Sequence, residues 1–93
     1  MTVWKTEISA VEHQITLHVP KGSKFLTAKA QHNRIAIWYA VPDMNALKIN
    51  KEFLILSTGE WRDLPLDTLR YWGTVQEEGY VLHVFEILPE SDE

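Results

Sequence analysis

No cysteine occurs among the 93 residues, which removes disulfide frameworks, thiolate metal ligands and cysteine nucleophiles together and fits a reducing cytoplasm. Glycine and proline number four each, too few for a collagen-like or low-complexity chain. No apolar run approaches a membrane span, and the opening MTVWKTEISA has neither the basic nor the apolar stretch of a signal peptide. A cytosolic protein is expected. No serine stands in a nucleophile-elbow context, and no glycine-rich phosphate loop leads into a helix. Catalysis has no visible team, so a non-enzymatic role is expected. The four histidines, His13, His18, His32 and His83, lack the short spacings of zinc ligands, and no metal site or cofactor is expected. Dense basic stripes are missing too: the positive residues are single and scattered, which argues against a nucleic-acid polymer as partner.

What is present is the composition of an ordinary globular domain, 45% hydrophobic and 24% charged. Ninety-three residues allow one core but leave a poor ratio of surface to volume, so a partner subunit would help stability. One β domain over 1–88 is expected, with a frayed acidic tail at 89–93 (PESDE). The net charge of -4 conceals an asymmetry: residues 1–51 hold seven basic residues against three acids (+4), and the remainder two against ten (-8).

Runs of β-branched and aromatic residues punctuated by turn signals predict strands at 2–8, 13–19, 24–31, 34–41, 51–58, 70–76 and 80–87. Seven short antiparallel strands predict an all-β sandwich or small barrel. PKGS at 20–23 and HN at 32–33 read as hairpin turns, and Gly79 as a left-handed residue before the last strand. Only 43–50 and 63–70 could hold a turn or two of helix, with Asp63 and Asp67 as caps.

IAIWYAV, residues 35–41, is apolar on both faces. Ile35, Ile37, Tyr39 and Val41 form one side, Ala36, Trp38 and Ala40 the other. The preceding arm sets Leu26, Ala28 and Ala30 against Phe25, Thr27, Lys29 and Gln31, and the last strand sets Tyr80, Leu82, Val84 and Glu86 against Val81, His83, Phe85 and Ile87. A closed barrel or long loop could cover the second faces within one chain; an oligomer interface is the alternative. Burying Trp38 would remove about 150–250 Å² from water, worth at most ~4–6 kcal/mol at ~25 cal/mol per Å².

STGEWRDLP, 57–65, is the loop richest in binding chemistry. Gly59 permits close backbone approach, Thr58 can donate to a phosphate or base edge, Trp61 can stack and Arg62 can pair an anion bidentately. A plain turn with an anchoring tryptophan accounts for the same residues. His83 reads either as a buried imidazole paired with a backbone carbonyl or as a polar group at a ligand. Tyr71 and Trp72 read as core. Lys21 and Lys24 beside Gly22 read as a solvated hairpin, and Glu77 and Glu78 as solvated turn residues.

VWK at 3–5, VPKGSKFLTAKAQ at 19–31, IWYAVPD at 37–43, TG at 58–59, YWGTVQ at 71–76 and VLHVFE at 81–86 together resemble the phage-encoded anti-CBASS sponge proteins over nearly the whole chain. Members of that family bind the cyclic oligonucleotide signals of bacterial anti-phage defence without cleaving them. The resemblance implies a homo-oligomer, a tetramer, acting in the host bacterial cytoplasm, with cyclic dinucleotide bound at sites shaped by subunit contacts. Lys5, Gln31, Trp38, Thr58, Gly59 and His83 match the family's pattern and have suitable chemistry; loop chemistry adds Trp61 and Arg62. Glu60 departs from the pattern, in which glycine and histidine follow the Thr-Gly pair. A carboxylate there would repel phosphate but could accept from a guanine edge. A protein-binding inhibitor or structural module working through the apolar strand faces is the alternative function.

Overall fold

A computed structural model describes residues 1–9, 13–31, 34–77 and 79–89, except for the side chain of Glu77. Seven strands run in the order β1 (Thr2–Ser9), β2 (Gln14–Pro20), β3 (Lys24–Gln31), β4 (Arg34–Val41), β5 (Lys48–Ser57), β6 (Leu69–Glu77) and β7 (Tyr80–Ile87), with one 3₁₀ turn at Leu66–Thr68. They pair antiparallel in two sheets, β1-β4-β3 and β2-β5-β7-β6. The Cα envelope of 40 × 36 × 16 Å has the thin dimension expected of two sheets packed ~10 Å apart. The all-β expectation therefore resolves as two packed sheets. Among the described residues no helix is long and apolar enough to cross a membrane.

Strand alternation places the core. Ile35, Ile37, Tyr39 and Val41 of β4 point inward and are buried against Phe53 and Ile55 of β5 and Leu82 and Val84 of β7. Phe25 joins the sheets: its ring meets Phe53 edge-on at 4.7 Å, Trp72 at 5.6 Å and Tyr39 at 5.5 Å, contacts that add to the area term in aromatic pairs. At the β3/β6 seam the sheets approach closely. A Cβ on Gly73 would lie 3.3 Å from the carbonyl oxygen of Ala28, so a side chain there would crowd the β3 backbone. Glu86 sits in this interior at 2% exposure. It accepts a hydrogen bond from Trp72 Nε1 at 3.1 Å and pairs with Lys51 Nζ at 3.3 Å, which compensates a charge that would otherwise be costly to bury.

Four local expectations need correction. The second face assigned to β3 fails because the register shifts between Phe25 and Thr27: the extra residue, Leu26, is turned outward at 49% exposure while Phe25 and Ala28 both face the core. A second shift between Tyr71 and Gly73 separates Trp72, packed against the core, from Tyr71, which is exposed and not a core residue. β5 begins at Lys48 instead of 51, because Lys48 and Ile49 pair with Pro20 and Val19. Finally, the 3₁₀ turn is not capped by an aspartate. Pro65 holds its N-cap position without a side-chain cap, and Thr68 Oγ1 donates to the Pro65 carbonyl at 2.6 Å. Asp43 instead holds its own turn, accepting from the Asn45 amide at 2.9 Å, an Asx turn. Gly22, Gly59 and Gly79 have positive φ, as the turn readings require. The turn expected at 32–33, Glu78 and the acidic tail at 90–93 lie outside the described residues.

Candidate functional site

The outward face of the four-stranded sheet carries the richest arrangement. Leu54 and Leu56 of β5, His83 and Phe85 of β7, and Tyr71 and Thr74 of β6 stand in register across it. The loop from β5 to β6 completes the site. It begins in a tight turn in which the Glu60 amide donates to the Ser57 carbonyl at 3.0 Å and Glu60 Oε1 accepts from the Ser57 amide at 3.1 Å. Gly59 occupies that turn at φ +89°, where an added Cβ would meet nothing within 4 Å. The demand for glycine is thus conformational rather than steric. Beyond it Trp61, Arg62, Leu64 and Leu66 line, with Leu56, Tyr71 and Phe85, an open apolar cleft of about 250 Å³. Trp61 and Leu66 are 81% and 86% exposed, a large apolar outlay on a small surface.

A chain of polar groups borders the cleft. Thr58 Oγ1 bonds His83 Nε2 at 2.7 Å, His83 Nδ1 bonds Thr74 Oγ1 at 3.1 Å, and the Thr74 hydroxyl bonds that of Tyr71. Both ring nitrogens of His83 are therefore engaged by hydroxyls, and no backbone carbonyl partner is needed to explain its place in an apolar strand. A neutral imidazole so placed donates at one nitrogen and accepts at the other, so the tautomer sets which of Thr58 and Thr74 donates to the ring and which accepts from it. Glu60 organises the other border, its Oε2 meeting Arg62 Nη2 at 3.1 Å and His13 Nδ1 at 3.5 Å. The carboxylate that departs from the sponge pattern thus orients the loop's guanidinium.

The outward face of the three-stranded sheet holds a different set. Trp38 stands opposite Lys5 on β1 and Thr27 on β3, and with Val3, Leu26 and Lys29 it lines a shallow cavity of about 300 Å³. Lys5 Nζ donates to Gln31 Oε1 at 3.1 Å and pairs with Glu7 at 3.3 Å, and Glu7 reaches Arg34 at 3.7 Å.

The eight residues singled out from the sequence thus fall into two groups. Thr58, Gly59, Trp61, Arg62 and His83 gather on the four-stranded sheet, whereas Lys5, Gln31 and Trp38 gather on the three-stranded sheet, whose outward face points the opposite way across the sandwich. One protomer does not bring the two groups together. Sequence reasoning missed the site roles of Tyr71, Thr74 and His13, and the pairing of Glu60 with Arg62; the first two became visible only once β6 was registered on β7. Among the described residues no group of three or more histidine, aspartate or glutamate side chains could hold a metal ion; His32 lies outside them.

The chain belongs to the DUF7352 family, a domain of unknown function, matched over residues 1–93. Both outward faces therefore lie within a single family domain. No curated protein and no solved structure matches the chain.

Proposed function

We propose that the protein binds cyclic dinucleotide signals and withholds them without cleaving them, the function implied by its resemblance to anti-CBASS sponge proteins. The observation that carries this reading is the adjacency, on one face, of an exposed indole, a guanidinium and a hydroxyl–imidazole–hydroxyl chain. A base stacks on Trp61 without regard to its identity, at ~1–3 kcal/mol per base. Arg62 uses one amino group on Glu60 and keeps its remaining N–H donors for phosphate oxygens. The Thr58 hydroxyl, positioned by His83, reads a base or ribose edge, and Glu60 can accept from a guanine N–H.

A second reading, a module that binds another protein, draws on the exposure of Trp61 and Leu66, since contiguous apolar surface marks protein contacts as readily as ligand clefts. Hydrolysis fits less well. Thr58 and His83 are close enough for a nucleophile and base, but the group behind the imidazole is the Thr74 hydroxyl instead of the carboxylate that would stabilise an imidazolium.

Incubation with a panel of cyclic dinucleotides, removal of free ligand and release by heating separates the three. Intact nucleotide is the expected product. Cleaved product would identify an enzyme, and failure to retain any member of the panel would leave the protein-binding module. Arg62→Ala is expected to weaken retention about tenfold or more, the loss of one charge-assisted hydrogen bond, with an unchanged far-UV circular dichroism spectrum.

A further inference from the structure

We propose that copies of this chain dock head to tail, Trp38 on the three-stranded sheet of one copy seating in the cleft that Trp61, Leu66 and Phe85 line on the four-stranded sheet of the next.

Both faces are apolar at the centre and open, one around Trp38, Val3 and Leu26 and the other around Leu56, Leu66 and Phe85. Charge decides which face meets which. The three-stranded sheet surrounds Trp38 with Lys5, Lys24, Lys29 and Arg34 against Glu7 alone. The four-stranded sheet and its loop carry Glu52, Glu60, Asp63 and Asp67 against Lys48, Arg62 and Arg70. Docking like on like would oppose two net positive or two net negative faces; docking unlike faces opposes net positive to net negative. A contact of this kind is heterologous. It uses a different patch on each copy, so every copy keeps one free face until a ring closes or a chain grows.

The same contact would carry Lys5, Gln31 and Trp38 of one copy to the border that holds Thr58, Arg62 and His83 of the next. The site would then be incomplete in a single chain. This part rests on the nucleotide reading; the docking itself does not.

The test uses full-length protein without nucleotide, by sedimentation velocity at micromolar concentration. Trp38→Arg spoils one face and Leu66→Arg the other, with Val3→Arg and Tyr71→Arg as independent copies of each lesion and circular dichroism as the check on folding. Wild type is expected to sediment as a ring or a concentration-dependent chain, and each variant as a monomer. Mixed one to one, Trp38→Arg and Leu66→Arg are expected to give a dimer, because each supplies the face the other lacks. A monomeric wild type, a lesion on one face alone that dissociates the assembly, or a mixture that stays monomeric would each overturn the proposal. Persistence of the mixed dimer with no nucleotide retained by wild type would remove the ligand site and leave the docking intact.

Discussion

The two outward faces answer the same problem differently. Each belongs to strands that are apolar on both sides, and each is left by the packing of the sandwich without a second sheet. On the three-stranded sheet the solution is a thin cover of charged side chains: β4 is central, so the Lys5–Gln31 hydrogen bond between its flanking strands must cross its outer surface. Ala36 beneath has no exposed area, since long stems can blanket apolar ground while their heads stay wet. On the four-stranded sheet the cover is backbone, the loop that starts at Gly59 and carries Trp61, Leu64 and Leu66 over Leu56 and Phe85. The lesson concerns preorganisation. Hydrogen bonds fix Thr58, His83 and Thr74 relative to one another, and groups already ordered lose less on binding, whereas the Lys5 pairings opposite are solvent-exposed and hold their side chains only weakly.

The largest expected effect tests whether the faces share one foundation. Phe53→Ala empties the centre of the core and should lower stability by ~3–5 kcal/mol in a single denaturant transition seen alike by tryptophan fluorescence and circular dichroism. Two separated transitions would mean that the faces stand on independent units. Gly59→Val comes next: a β-branched residue at φ +89° should cost about 1–3 kcal/mol and displace the loop, so that nucleotide retention falls while the Trp38 face is untouched. His83→Phe severs the polar chain and should cost ~1 kcal/mol per neutral hydrogen bond lost, with retention falling further than Trp61 stacking alone can support. Lys5→Met should be the mildest. Its partners are solvent-exposed, so the change should stay under ~1 kcal/mol and shrink as salt is added; a larger loss would show the charged cover to be structural.

The sequence disclosed elements more fully than it disclosed faces. β3, β4 and β7 were legible to the residue, because each lies between turn signals and is dense in β-formers. The start of β5 was not: Lys48, Ile49 and Asn50 end the 43–50 run that reads as a helical turn, and they are strand because β2 pairs with them. The sequence also misled at Leu26 and Tyr71, since a bulge adds one residue and reverses the face of all that follow. Thr58, His83, Trp61 and Arg62 could be singled out by their chemistry, but the hydrogen-bonded chain through Thr74 to Tyr71 depends on the register of β6 against β7. That is a nonlocal choice which no short stretch encodes. For the same reason the separation of Lys5, Gln31 and Trp38 from the other five appeared only with the sheet order.

The most direct measurement is a titration of intrinsic fluorescence with the cyclic dinucleotide best retained, comparing wild type with Trp61→Phe. Trp61 is the most exposed of the tryptophans, and the others pack to varying degrees against strands, so a base stacking on its indole should quench its emission saturably. The expected result is such quenching in wild type and its loss, with weakened affinity, in Trp61→Phe. Quenching of the same amplitude and midpoint in both proteins, or none in either, would contradict a nucleotide site on this face.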